Sequence, residues 1–373
     1  MKSKWMTFSV VAILVASFVL SGVGVAAAAE DGGAVYTLTN SAAGNAVAIF
    51  NRAADGTLTP AGSVSTGGLG TGAGLGSQGA LTLSSNHQWL FAVNAGSNEI
   101  SVFAVRADGL TLTDKVPSGG LHPISVTNYK NLVFVLNDGG SGNIAGFMLG
   151  AHGQLAAIAD STRNLSNHGV GAAPGPAQIS FSPEGEVLVV TEKNTNLIDT
   201  FAVDEDGMAG NVVTHPSAGV TPFGFAFAGH GALIVSEAAG GAANASSASS
   251  YDVADDSFQL VSAAVPTRQT AACWAAATKN GKYVYTANAG SGSRSLYGVG
   301  RDGAMALLNS VAGSTGAGSH PSDMALSHNS QFLFVLANVT QSIGAFEIQA
   351  DGSLTAISGA NGLPAAAVGL AAW

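Results

Sequence analysis

GALTLSSNHQWLFAVNAGSNEISVFAVRADG, residues 79–109, holds three apolar runs of strand length: LTLS, WLFAVN and ISVFAV. The turn formers SNHQ and AGSNE separate them, and the unit closes at Asp108-Gly109. β-branched and aromatic residues in short runs, bounded by Gly, Asn, Asp and Ser, spell strands joined by hairpins. The unit returns to the end of the chain. It reads PAQISFSPEGEVLVVTEKNTNLIDTFAVDEDG from Pro176, CWAAATKNGKYVYTANAGSGSRSLYGVGRDG from Cys273 and PSDMALSHNSQFLFVLANVTQSIGAFEIQADG from Pro321. Self-similarity at a period of about 40 to 50 residues signals a propeller or a related array.

The two ends of the repeat series complement each other. The opening unit, AVYTLTN (34–40) followed by NAVAIFNRAADG (45–56), lacks a first strand. The closing AAAVGLAAW (365–373) matches a first strand, and nothing follows it. Roughly 344 residues shared among seven units give about 49 each, the length of a four-stranded blade. The expectation is therefore an all-β fold: one seven-bladed β-propeller over residues 30–373, with four-stranded blades. The C-terminal strand completes the N-terminal blade, which closes the ring and removes the open sheet edge.

Residues 1–29 read as a signal peptide. Lys2 and Lys4 precede an uncharged apolar stretch from Trp5 to Ala29, whose second half is rich in small residues and ends AAAA before Glu30. That order matches a secretory signal cut after Ala28 or Ala29. The same stretch is long enough to serve as a retained anchor instead. Cleavage implies a secreted or periplasmic protein with no membrane association afterwards, expected to be a monomer.

Composition narrows the partners. Charged residues make up 10% of the 373, Gly counts 50, and the formal net charge is −10, or −12 without Lys2 and Lys4. Such acidity disfavours nucleic acid and anionic membrane surfaces. Cys273 is the only cysteine, so no internal disulfide forms, and its apolar surroundings in TAACWAAAT suit a buried small residue. GLGTGAGLG (68–76) carries no Lys and opens no helix, so it is not a phosphate loop but a loop at the channel mouth. No His or Cys spacing suggests zinc, and no G-x-S-x-G elbow occurs.

Blade order points to a site. In a propeller the first strand of each blade lines the central channel, so the starts of first strands and the ends of second strands ring one mouth. Second strands end at Asn40, Asn94, Asn137-Asp138, Glu192-Lys193, Glu237, Asn288 and Asn338, the last with Ala337 as its alternative. First strands start near Gln78, His122, Gln178, Phe223, Trp274 and Asp323, with Arg268 just before one of them. Asn after a strand is ordinary turn chemistry; Glu is not, which singles out Glu192 and Glu237.

With those repeats in view, the chain resembles the lactonase-family seven-bladed propellers, which include propeller-type 6-phosphogluconolactonases and carboxymuconate cyclases. The resemblance covers essentially all of residues 30–373 and implies lactone hydrolysis. Members usually carry His-x-His at the start of one channel strand; here Pro176-Ala177-Gln178 puts Gln178 in the place of a His. A later strand usually begins Pro-Arg-His, and here Pro222-Phe223-Gly224 lacks both Arg and His. The acid that usually ends the next strand survives as Glu237. The chain looks like a divergent, exported branch.

These features lead to one expectation and one rival. The expectation is a secreted lactonase-like hydrolase that opens a neutral or weakly charged lactone at the channel mouth. Glu237 and Glu192 are its candidate catalytic carboxylates, with Glu237 as the base that activates water. Asn94, Asn137, Asn288 and Lys193 are candidate donors to the oxyanion, and Phe223 and Trp274 would pack the substrate ring. His122, Gln178, Arg268 and Asp323 complete the substrate-binding set. No cofactor is required, although carboxylate and amide oxygens around a channel also suit calcium. The rival is a non-catalytic propeller that binds a glycan, peptide or cell-envelope partner across the same face.

Overall fold

The computed structural model describes Met1 and residues 32–254 and 257–373; the segment expected to be a signal peptide lies, Met1 apart, outside the described residues. The described residues from 32 onward form seven antiparallel sheets, six of four strands and one of five. Blades are numbered here from the one that closes the ring. The inner strands, in chain order, are Leu81–Leu83 (blade 2), Pro123–Tyr129 (blade 3), Pro176–Phe181 (blade 4), Pro222–Phe227 (blade 5), Ala272–Ala277 (blade 6), Pro321–Leu326 (blade 7) and Val368–Ala372 (blade 1). The second strands are Gly33–Leu38, Trp89–Asn94, Leu132–Asn137, Val187–Glu192, Leu233–Glu237, Tyr283–Asn288 and Phe332–Ala337, for blades 1 to 7.

Burial follows strand position. Second strands such as Val187–Glu192 and Phe332–Ala337 are buried at every residue, because both faces of a blade are covered by its neighbours. They therefore read as continuous apolar runs, without alternation. The outer strands Leu58–Ser65 and Ser257–Pro266 are mostly exposed, and the second of them leaves Leu260 and Val261 at the surface.

The ring closes as its two sequence ends require. Val35, Tyr36 and Thr37 pair antiparallel with Ala372, Ala371 and Leu370. Thr37 Oγ1 donates to Gly369 O at 2.7 Å, and Trp373 Nε1 reaches the Tyr36 hydroxyl at 3.2 Å. Gly369 has φ +69°, and a Cβ there would sit 2.8 Å from Leu81 N, so only glycine fits where blades 1 and 2 meet.

Register corrects two positions. Pro321 pairs with Ala337, as Pro176 pairs with Glu192 and Pro222 with Glu237, so Ala337 and not Asn338 holds the equivalent place in blade 7. In blade 1 that place belongs to Leu38, paired with Val368 beside the bulge, and Asn40 lies two residues beyond it. Side-chain period in a strand is two, so short bulges of this kind decide which residues share a ring.

Candidate functional site

The polar residues that end the second strands are all enclosed. Glu237 is 0% exposed. Its carboxylate accepts from Gly219 N at 2.8 Å and from the hydroxyls of Ser247 and Ser249, with Ser217 Oγ at 3.4 Å. Ser247 and Ser249 lie on the third strand of the same blade, and residues 217–219 belong to the connector arriving from blade 4. A Cβ at Gly219 would collide with Oε2. Burial raises the Glu237 carboxyl, and the four hydrogen bonds pull it back in part.

Glu192 repeats the design in blade 4. It is 0% exposed and accepts from Ser166 N at 3.1 Å, Ser166 Oγ at 2.6 Å and Thr195 Oγ1 at 2.6 Å. Asp199, on the next strand and also 0% exposed, has both carboxyl oxygens without a partner as acceptors. Burial, together with the neighbouring Glu192, pushes Asp199 up to about 9. Asp199 therefore keeps its proton at neutral pH and adds no second buried charge beside Glu192.

The Asn positions are clamps of the same kind. Asn94 Nδ2 donates to Ser101 Oγ at 2.8 Å, and its Oδ1 accepts from Asn45 at 3.0 Å. Asn137 joins Asn143 at 2.8 Å and the carbonyl of Ser118 on the incoming connector. Asn288 donates to Ser293 and Ser295. All three are 0% exposed. The expectation that Glu237, Glu192 and this Asn ring face a substrate does not match the geometry. They tie each second strand to its third strand or to the entering connector, and the Glu237 carboxylate is enclosed by the groups that bond it.

The mouth where inner strands start is plugged. Residues 75–78, at the end of the Gly-rich stretch, cross it from blade 2. Ser77 Oγ donates to Ile124 O of blade 3, and Gln78 N donates to Ala177 O of blade 4. Trp274 Nε1 of blade 6 donates to Ser77 O at 2.9 Å. The Gln78 amide pairs with both Ala275 O (2.8 Å) and Ala275 N (3.1 Å), also in blade 6. Gly224 leaves the space for this, since a Cβ there would strike Gln78 Oε1.

Lys193 fastens the plug. Its Nζ donates to Gly76 O at 2.6 Å and Pro176 O at 2.9 Å, and sits 5.1 Å from the Phe223 ring centre. Burial lowers its pKa, opposed by Asp138 and Cys273 nearby. Phe223 packs on Trp274 with centroids 5.1 Å apart, and both are buried. They support the plug and are closed to a substrate ring. His122 stands half-exposed on the rim, with Nδ1 4.0 Å from Asp138 Oδ2. Arg268 is exposed on its connector, at φ +59°.

Below the plug the channel holds a cavity of about 260 Å³ lined by blades 1, 2, 3, 4 and 7. Gln78, Gln178 and Asp323 lie at its closed end, and Thr82, Thr127 and Ser180 along its wall. The wall is otherwise apolar, with Leu83, Val126, Ile179 and Leu326, and carries no Lys or Arg. Leu83, Ser180, Leu326 and Ala372 at the far ends of the inner strands are half-exposed, whereas Pro123, Pro176, Pro222 and Pro321 at the starts are buried. The cavity therefore meets solvent where the inner strands end, opposite the mouth that the sequence nominates.

Gln178 and Asp323 also stitch blades together. Gln178 accepts from Phe225 N at 2.7 Å and donates to Phe225 O at 3.1 Å. Asp323 accepts from its neighbour Met324 N at 2.8 Å and from Leu370 N of blade 1 at 3.2 Å. Ser125 does the same for Ile179 N at 3.2 Å. Inner strands present an unpaired edge to the channel, and a side chain from the preceding blade satisfies it. Burial pushes Asp323 up to about 8. Each glutamine amide commits one N–H to a carbonyl and keeps a second.

Of the sequence-nominated residues, the structure brings Gln178 and Asp323 to the cavity with Gln78, gathers Lys193, Phe223 and Trp274 at the plug, and leaves His122 and Arg268 outside. Sequence reasoning misses the plug itself, although Leu75 is an apolar residue at the end of a glycine run and is buried. It also misses Asp199, an acid inside the apolar run LIDTF. Among the described residues no group of three or more His, Cys, Asp or Glu side chains is placed to hold a metal ion.

Comparison with known proteins bears on this architecture. The profile of a family described as lactonase, 7-bladed beta-propeller, matches residues 29–163 and 235–328, more than half of the chain. Among curated proteins none matches the sequence significantly. A periplasmic gluconolactonase of Pseudomonas aeruginosa is similar in structure (TM-score 0.68, 14% identity, 92% of this chain and 99% of that one). So is a candidate 6-phosphogluconolactonase of Bacteroides fragilis (TM-score 0.68, 18% identity, 93% and 99%). A protein from Lactobacillus plantarum reaches a TM-score of 0.72 at 17% identity, over 92% and 99%.

Proposed function

The chain belongs to the lactonase family of seven-bladed β-propellers, and from that premise we propose that it is an exported hydrolase that opens a neutral or weakly charged lactone inside the central channel. The observation that carries this reading is the cavity of about 260 Å³ with Asp323, Gln78 and Gln178 converging at its closed end. A small pocket with a few convergent polar groups and one carboxyl of raised pKa is the usual form of a catalytic site.

Asp323 is the general base. Its carboxylate takes a proton from water, the water oxygen bonds to the lactone carbonyl carbon, and the uncommitted amide N–H of Gln78 or Gln178 donates to the developing oxyanion. Collapse breaks the ring C–O bond, the proton on Asp323 passes to the departing alkoxide, and a hydroxy acid leaves. Burial supports this role, because a base works best with its pKa near the working pH. The lining has no cation to pair a phosphate, so a sugar phosphate is a poor substrate and an uncharged ring a good one.

The experiment is to obstruct each end of the channel. Leu326→Trp fills the open end, and Arg268→Ala alters the opposite rim. Turnover of an uncharged aldonolactone is expected to fall at least ~10-fold in the first and to stay unchanged in the second. Equal turnover in both would refute a channel site.

The enclosure of Glu237 and Glu192, and the absence of the family's usual His and Arg, favour a second reading. In it the propeller binds a small carbohydrate without turning it over. Saturable binding of an aldonolactone with no ring opening would establish that reading.

A further inference from the structure

A buried cation stands without a counter-ion between blades 6 and 7. Arg294, on the third strand of blade 6 (Ser293–Val299), is 0% exposed. Its Nη1 donates to Thr315 Oγ1 at 3.1 Å, while Nε and Nη2 have no partner. No carboxylate among the described residues forms an ion pair with it. The guanidinium lies 4.3 Å from the centre of the Phe346 ring. Burial alone lowers its pKa to about 9, so it keeps its charge at neutral pH.

Two features give this arrangement a direction. The unused nitrogens, Nε and Nη2, form one side of the guanidinium, the edge that takes a carboxylate or phosphate through two parallel hydrogen bonds. An unpaired buried charge is also costly, far more so than the same charge with a partner. Phe346 offsets part of that cost through its ring face. The remainder is unexplained by anything else packed around the side chain.

Beside it lies an opening. Thr315 and Phe346, the two residues that hold the guanidinium, also line a cleft of about 450 Å³, together with Ser314, Ser342 and Gly344. Thr315 and Phe346 thus touch both the guanidinium and the cleft. Arg294 is held by a single side-chain hydrogen bond, to Thr315, and occupation of the cleft requires its free edge to exchange into the opening.

We propose that Arg294 anchors an oxyanion-binding site in the cleft between blades 6 and 7, taking a carboxylate or phosphate group side-on through Nε and Nη2. The hydroxyls of Thr315 and Ser342 supply further donors. This site is separate from the channel and holds whether or not the channel hydrolyses lactones.

Thermal unfolding with sodium phosphate, sulfate or acetate, against sodium chloride of equal ionic strength, tests the proposal. The wild-type melting temperature should rise saturably with at least one oxyanion beyond the chloride control. A response to acetate alone marks a planar carboxylate ligand; a response to phosphate and sulfate marks a tetrahedral one. Arg294→Lys should weaken the midpoint at least ~10-fold, because an ammonium lacks the paired edge, and Arg294→Met should abolish saturation. Should the Met variant not fold, the Arg294 Nε–H resonance of wild type gives the same answer, by shifting with added phosphate or acetate. No response beyond chloride, or an equal response in Arg294→Met, would overturn the site.

Discussion

Replacing Glu237 by Ala should destabilise the propeller without touching its chemistry. The substitution removes the acceptor of the half-buried Gly219 N–H and of the buried Ser247 and Ser249 hydroxyls. A buried donor left unmet costs about 1–3 kcal/mol. The amide of Gly219 cannot turn away, whereas the two hydroxyls can rotate toward other acceptors. Counting the half-buried amide and the two hydroxyls each in part gives about 2–4 kcal/mol. For a domain of this size that lowers the melting temperature by roughly 10 °C. Glu237→Gln keeps the volume and one carbonyl acceptor and should cost about 1–2 kcal/mol. Thermal and urea unfolding read both values, and lactone turnover is measured on the folded protein. The reasoning is refuted if Glu237→Gln melts like wild type but loses turnover by ~10²-fold or more, the signature of a general base.

Stability should also depend on pH in a defined direction. Asp199 and Asp323 have folded pKa values raised to about 9 and about 8, above their unfolded values. Each therefore contributes stability that is complete below pH ~4 and is lost as pH rises toward 8 to 9. Urea midpoints should fall across that window, and Asp199→Asn should flatten the slope; a midpoint that rises with pH from 5 to 9 would contradict the two assignments. Lys193→Met should release the plug, read as faster amide exchange at residues 75–78 with little change elsewhere; unchanged exchange there would mean that the Gln78 and Trp274 contacts suffice. Deleting residues 368–373 exposes the edge of Gly33–Leu38 and should turn a soluble protein into an aggregating one; a soluble, cooperatively melting truncation would show that closure is dispensable.

The ring was legible in the sequence because its signals are local and repeated. Strand runs such as WLFAVN and VLVVTE, the turns SSNH and SPEG, and the unmatched final AAAVGLAAW each name one step of a blade. Site residues were harder to read because they depend on pairings between blades. Nothing in the letters distinguishes a Glu aimed at substrate from one aimed at Ser247 and Ser249, and both sit at the end of a strand. The bulges after Pro176, Pro222 and Pro321 shift which residue faces the channel, and they appear only in the register. Gln78 reaches blade 6 from blade 2 across the channel, a contact far outside any local pattern. Asp323 was found for its position at an inner-strand start, and that position holds; its role as a stitch to Leu370 N needed the closed ring.

The most direct test of the channel reading is the pH dependence of lactone hydrolysis in wild type and Asp323→Asn. If Asp323 is the base, kcat/KM rises with pH and levels off above about 8, and Asp323→Asn lowers the plateau by ~10²-fold or more and removes the inflection. An inflection that survives in a folded Asp323→Asn, at undiminished rate, would move the chemistry out of the channel.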